Sequence, residues 1–328
     1  AFDKGAIHLH DANSIRLGNH NCTTVDLEML LKNGLKIKNG GTREPKSIRV
    51  ALAQTYLLIG AVSQNQFGGC AVAAIDTCLA PYLKRTFEDK FIEICAIMEV
   101  HPVPELLTHW SEIDVSQNDT AQKAQEIAKA YALDDLAQGM KGFFHDLSGS
   151  SAREGSQLSF SSINYGNDPD PNAVLISKSI LETRAQGIGA NREIPIFPIG
   201  IFQYSPNLHG KGKELEWLFD MAVESTAKNI YPNYVYVPDS SSTLNWRAKE
   251  STMGCRTQNG VDRHASTMDR TGRGNIAPVT ISLPYLVLES KGDYEMFKES
   301  LEKYLRLSEK ALLERFELSN SSDDTYVY

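Results

Sequence analysis

The sequence contains no C-x-x-C pair, no Walker-type phosphate loop and no dinucleotide fingerprint, since Gly187-x-Gly189 is too short a match to count. No stretch approaches the roughly 20 uncharged apolar residues of a membrane span. Ala1 to Asn13 does not read as a signal peptide. Positive charge is in deficit, with 33 Lys and Arg against 41 Asp and Glu and a net charge of -8. That balance argues against a broad nucleic-acid-binding face, although a local pocket can still hold a nucleotide. Cysteines are few. Cys22, Cys70, Cys78, Cys95 and Cys255 are odd in number and irregular in spacing, which fits a reducing cytoplasm rather than a disulfide framework.

What is present is an ordinary globular composition, 41% hydrophobic and 23% charged over 328 residues. This is enough for a large core and for two domains or one α/β barrel. Ile7-His8-Leu9-His10-Asp11 alternates as a short strand with one functional face would. No third ligand stands near the two histidines, so a satisfied polar pair at a site edge is the better reading than a metal. His20 to Leu27 is β-branched at its centre and reads as a strand, followed by a short helix that stops at Asn33-Gly34. Cys22 is there most simply a buried strand residue. A helix from Glu44 to about Ser63 carries apolar residues on most sides, Val50 and Leu57 among them, and is expected to be buried. Gly68-Gly69 breaks the chain after it. Close backbone approach and a plain tight turn explain that pair equally well.

Helices are expected over Ile75 to Glu99 and Thr120 to Leu147, the charges of the second forming a solvated face. Then come an alternating strand over Gln157 to Gly166, a helix over Ala173 to Ala185, a buried strand over Pro195 to Phe202, a helix over Glu214 to Asn229 and a strand over Asn233 to Val237. Strands alternating with helices through short joins specify an α/β architecture. A last helix is expected to bury Phe297, Leu301, Leu305, Leu312 and Phe316. Asp239 to Gly274 is too rich in Ser, Thr, Asn, Arg and Gly to be a packed element and reads as a loop. Cys255 within it is either a reactive thiol beside Arg256 or an ordinary one.

Thr252-Met253-Gly254-Cys255-Arg256-Thr257, then Gly272-Arg273-Gly274-Asn275 and an apolar strand from Ile276 to Leu283, closely resemble the finger loop of the anaerobic (class III) ribonucleoside-triphosphate reductases. Five further segments resemble text of that family in the same order. They are Ile7 to Asp11, Gln66-Phe67-Gly68-Gly69, Phe160 to Asn164, Ile194 to Pro198 and Ala227 to Pro232. The resemblance covers nearly the whole chain and is weakest over Pro102 to Ser151. It implies half of a ten-stranded α/β barrel with a finger loop. Residues 1–238 would form the first half-barrel with its surrounding helices, 239–274 the finger loop, and 275–328 the start of the second half.

The resemblance also implies chemistry: reduction of ribonucleoside triphosphates by thiyl radicals under anaerobic conditions. Cys255 would take the 3′ hydrogen, and Cys22, across the substrate, would deliver hydrogen near C2′. Asn275 would hydrogen-bond substrate or reductant, or would simply be a turn residue bonded to its own backbone. His8, His10, Asn21, Gln66, Gly68, Gly69, Ser161 and Ser162 are the implied substrate-pocket residues. A glycyl radical supplied outside these residues, formate as reductant, a nucleotide effector, an iron–sulfur activating protein of the radical-SAM type, a C-terminal glycyl-radical half and a homodimer complete the implied set. The sequence has no R-x-C-G-Y-type loop and lacks the paired cysteines of the family's zinc site. It reads as part of something longer or as a split product, inactive alone. Two other readings stand beside this one. One is a glycyl-radical enzyme of the pyruvate formate-lyase type, which would carry two adjacent cysteines where this loop has Cys255-Arg256. The other is a non-catalytic nucleotide-binding or assembly subunit.

Overall fold

A computed structural model of the chain describes residues 1–12, 21–37, 40–64, 66–100, 119–151, 156–242, 245–254, 257–258, 260–261 and 268–321. The chain divides into two units, one of residues 1–23, 65–68 and 274–328, the other of residues 24–64 and 69–273.

The larger unit is built on a sheet whose strand order is Arg273–Gly274, Thr23–Val25, Cys70–Val72, Ser161–Tyr165, Ile199–Tyr204 and Asn233–Tyr236. The last four run parallel, in the register Cys70↔Ser161, Ser162↔Ile199 and Ile201↔Asn233. Parallel neighbours need crossovers. These carry the helices Ile75–Ile97, Asp119–Gly149, Pro171–Gln186 and Glu216–Asn229. Ser161–Tyr165 is buried at all five positions, not at alternate ones as its sequence pattern suggests, as expected of a parallel strand covered on both faces. One apolar core joins Leu52, Ile59, Leu79, Phe87, Phe91, Phe144, Ile163 and Phe202.

Local chemistry sets the element ends, and two that depart from expectation show it. The helix expected from Glu44 starts at Ile48, because the Ser47 hydroxyl caps it by accepting from Val50 N. Its Val50 and Leu57 are exposed rather than buried. The strand expected from Pro195 starts at Ile199. The buried Arg184 guanidinium instead takes the carbonyls of Pro195 and Pro198 and lies against the faces of Phe144 and Tyr231. The prolines there have no N–H to give a ladder.

In the smaller unit Ile7–Leu9 pairs antiparallel with Val279–Ile281. The apolar strand expected over Ile276 to Leu283 is therefore shorter, and its partner is the amino-terminal strand. The helices Leu283–Glu289 and Tyr294–Ser321 follow, and Ala6, Ile7, Leu286 and Tyr304 form the core of the unit. The long helix corrects another expectation. Phe297 and Leu301 pack on that core, but Leu305, Leu312 and Phe316 are exposed, all three lining an open groove of about 710 Å³. Helical spacing finds an apolar face and says nothing of what covers it.

Candidate active site

Within the smaller unit, Asn275 grips the peptide of Asn21 and Cys22 from three points. Asn21 N–H donates to Asn275 O at 3.0 Å, Asn275 N–H donates to Cys22 O at 2.9 Å, and Cys22 N–H donates to the side-chain Oδ1 of Asn275 at 2.8 Å. The side-chain oxygen of Asn275 is thus engaged with Cys22, not with its own turn. Its Nδ2 has no partner among the described residues. The Cys22 thiol is half-buried, with Sγ 3.7 Å from Asn21 Oδ1.

Gly68 completes this cluster, its N–H donating to Asn21 O at 2.8 Å. A Cβ at position 68 would fall on both oxygens of Asn21. The glycine therefore serves a close approach of backbone to the strand that carries Cys22. Gly68→Ala should destabilise the protein by roughly 2 kcal/mol, as overpacking against backbone does. A shifted urea midpoint together with faster alkylation of Cys22 would check it.

Gln66 lies beside Gly68 in sequence and is 4% exposed, and neither polar atom of its amide has a partner among the described residues. A buried amide left in that condition is costly unless something polar binds it. His8 and His10 stand edge to face with ring centroids 4.5 Å apart, and His10 Nε2 bonds Thr280 Oγ1 at 2.7 Å. No group of three His, Cys, Asp or Glu side chains suited to a metal occurs among the described residues.

The remaining sequence candidates lie in the larger unit. Gly69 precedes the strand Cys70–Val72, and Ser161 and Ser162 open the strand beside it. Ser161 Oγ reaches Ser159 O at 3.4 Å. Ser162 Oγ is buried and unpartnered among the described residues. Cys255 falls outside the described residues.

Three residues without a role in the motif reading organise this unit. Asp76, at the start of the helix Ile75–Ile97, is fully buried and accepts from Gly166 N, Ser177 Oγ and Thr77 N. Burial and then the negative charge of Asp168 push its carboxyl up to about 6. The turn Gly166-Asn167-Asp168 is held from other sides as well. His209 Nε2–H donates to Gly166 O at 2.8 Å, and Lys249 Nζ donates to Asn167 O at 2.6 Å. Burial lowers the basicity of His209 and of Lys249. Arg247 ties Asp26, Glu28, Asp269 and Thr271 together and lies over the Trp246 ring. It thereby joins both stems of the segment that holds Cys255. Asn164 is the third, its amide bonded to Thr252 on the same segment. A charged or amide residue bonded to a partner 88 to 221 positions away leaves no local pattern to read.

The sequence matches the family model of the anaerobic ribonucleoside-triphosphate reductases over residues 1–328. Curated relatives include the anaerobic ribonucleoside-triphosphate reductase of Haemophilus influenzae, 28% identical over 320 residues, 96% of this chain and 41% of that protein. That of Enterobacteria phage T4 is 28% identical over 301 residues, 88% of this chain and 45% of the other. The chain spans less than half the length of these relatives. Among solved structures, the anaerobic ribonucleotide reductase from Thermotoga maritima in complex with dATP and CTP superposes with a TM-score of 0.62 at 14% identity, covering 98% of this chain and 49% of that one. The same enzyme with glycerol in the active site gives 0.63 at 15%, covering 97% and 47%. The fold is that α/β barrel type, and the chain belongs to the anaerobic ribonucleoside-triphosphate reductase family.

Proposed function

We propose that these residues form the substrate-handling part of an enzyme that reduces ribonucleoside triphosphates to 2′-deoxyribonucleoside triphosphates without oxygen. The observation that carries this reading is Cys22, fixed on both sides of its peptide by Asn275 in a chain matched to the reductase family throughout. Replacing the 2′-hydroxyl by hydrogen is slow by polar chemistry and becomes easy once C3′ carries a radical. A glycyl radical elsewhere in the enzyme would supply the oxidising equivalent that makes Cys255 a thiyl. Cys255 removes the 3′ hydrogen and returns it at the end of the cycle. Cys22 gives hydrogen at C2′ as water leaves. Formate balances the reaction by losing two electrons to become carbon dioxide. In the smaller unit the Gln66 amide, unpartnered among the described residues, suits a polar ligand, and His8, His10, Asn21 and Gly68 are further candidate substrate contacts. In the larger unit the Ser162 hydroxyl, likewise unpartnered among the described residues, does so, with Ser161 beside it in sequence and Gly69 before the adjoining strand. Rigid placement matters because a radical reacts with whatever lies nearest.

A nucleotide effector, a radical-SAM iron–sulfur activator, a glycyl-radical half and a second copy of the chain are the proposed partners. The Thermotoga maritima structures with dATP and CTP, and with dATP in the specificity site, support the nucleotide partners. The test is an anaerobic assay of these residues together with the part of their relatives they do not span, the activator and formate. Deoxynucleoside triphosphate from ribonucleoside triphosphate is the expected product. Its absence from a preparation that carries the radical would refute the reading, as would turnover by these residues alone.

A further inference from the structure

In the larger unit, Gln138, Lys141 and His145 follow one another at spacings of three and four on the helix Asp119–Gly149, which sets them in one stripe along it. The connection after the helix Pro171–Gln186, residues 186–192, supplies a second wall, and the two line an open cavity of about 660 Å³. That second wall has a fixed shape. Ile188 and Glu193 exchange both backbone hydrogen bonds, at 2.8 and 2.9 Å. Gly187 takes a positive φ, and a Cβ on it would fall 2.3 Å from Arg192 O. Lys141, His145 and Arg192 line the cavity, and no described carboxylate does, in a chain whose net charge is -8. Lys141 and Arg192 form no ion pair among the described residues, and His145 has one long contact, 3.8 Å, to Asp146. Cations near a helix end often answer its dipole, but that effect is confined to the last turn, and the last turn of Asp119–Gly149 holds no basic residue.

Gly142 adds an independent observation. It lies inside the helix, where glycine is less favourable than alanine, and it lines the same cavity. A Cβ there would meet nothing within 4 Å, so packing does not require the glycine, and its effect is to leave that wall bare. Gly139 differs, since a Cβ on it would meet Leu52 Cδ1 at 2.9 Å. The place is also distinct from the candidate site above. Residues 186–192 lead toward the amino end of the strand Ile199–Tyr204, whereas ligands of parallel sheets sit outside the carboxyl ends. We propose that this cavity binds a small molecule carrying two or more linked phosphates, whose oxygens are taken by the Lys141 ammonium, the Arg192 guanidinium and the amides of Gln138 and Gln186. A single phosphate is small for a cavity of this volume with cations on two walls. The site does not depend on the radical-reductase reading.

The test adds sodium tripolyphosphate at about 1 mM to the whole reductase, an affinity that two charge-assisted hydrogen bonds can supply, and reads amide hydrogen exchange peptide by peptide. Sodium chloride at equal ionic strength is the control. Tripolyphosphate should slow exchange over residues 186–193, and chloride should not. Lys141→Glu combined with Arg192→Glu should weaken the apparent affinity about tenfold or more. Gly142→Met keeps every charge and fills the bare wall, so it should abolish the protection while the unfolding midpoint holds or rises. ATP as a second probe separates two sources of the same chemistry. Equal affinity for ATP and tripolyphosphate means that the phosphates alone are read, and tenfold tighter binding of ATP means that the nucleoside is read as well; either result upholds the site. Three results would overturn it: no protection of this segment by either probe, protection that chloride matches, or protection that survives both variants.

Discussion

On the function proposed above, serine at position 255, or at position 22, of the whole reductase is expected to lower deoxynucleotide formation by about 10⁴-fold or more, which corresponds to over 5 kcal/mol of lost barrier reduction. The reason is bond strength. A thiol S–H is close in strength to a ribose C–H, so hydrogen passes either way between them, whereas a serine O–H is much stronger and its oxygen cannot be made a radical under the same conditions. Serine matches cysteine in shape, and the structure shows that the Cys22 backbone is what Asn275 holds. The Cys22→Ser chain should therefore fold and bind nucleotide as before. The two variants separate by isotope. With deuterium at C3′, Cys255→Ser should leave the label untouched, while Cys22→Ser should still lose or exchange it without forming product. Wild-type turnover from either serine variant would remove that cysteine from the mechanism, and equal behaviour of the label in both would remove the division of roles.

What the sequence discloses and what it withholds follow the range of the interactions. The alternation of strands and helices was legible because it is local. Gly34 at a positive φ stops the helix Leu27–Asn33 at the expected Asn33-Gly34, whereas the caps Ser47 and Asp170 start their helices at Ile48 and Pro171, not at the expected Glu44 and Ala173. Cys22 and Cys255 were singled out only through motif text, since a lone cysteine carries no pattern of its own. Their support was not. The bond between Cys22 and Asn275 spans 253 positions, and that between Asn164 and Thr252 spans 88. Gly68 could equally have been a turn until its N–H was found against Asn21 O. The last helix shows the converse failure, for Leu305, Leu312 and Phe316 keep helical spacing while remaining exposed. Asp76 reads as the usual acid of a first helical turn, favourable to the helix dipole. Only the fold reveals that it is sealed from water against Ser177, 101 positions along.

That burial gives the second large effect, a loss of stability as pH rises. The Asp76 carboxyl titrates near 3.8 when free and is raised to about 6 in the fold, by burial first and the charge of Asp168 second. Between those values the native state holds a proton that the unfolded chain has released, so unfolding becomes easier with increasing pH and levels off above about 6. A shift of some two units amounts to about 3 kcal/mol. Asn at position 76 is the neutral comparison. Its oxygen can still accept from Gly166 N–H and Ser177 Oγ, the two bonds that reach across the fold, at the cost of an amide group facing Thr77 N–H. Urea unfolding of wild type and Asp76→Asn at pH 4 and pH 7 should show the difference between them shrinking or reversing by about 2 kcal/mol, the wild type being the one that weakens. His209, whose basicity burial lowers, acts in the opposite sense by resisting protonation in the fold at low pH. It is common to both proteins and cancels in the difference. A gap between the two proteins that stays constant across this range would mean that Asp76 is ionised in the fold as readily as in water, its three hydrogen bonds offsetting the burial in full.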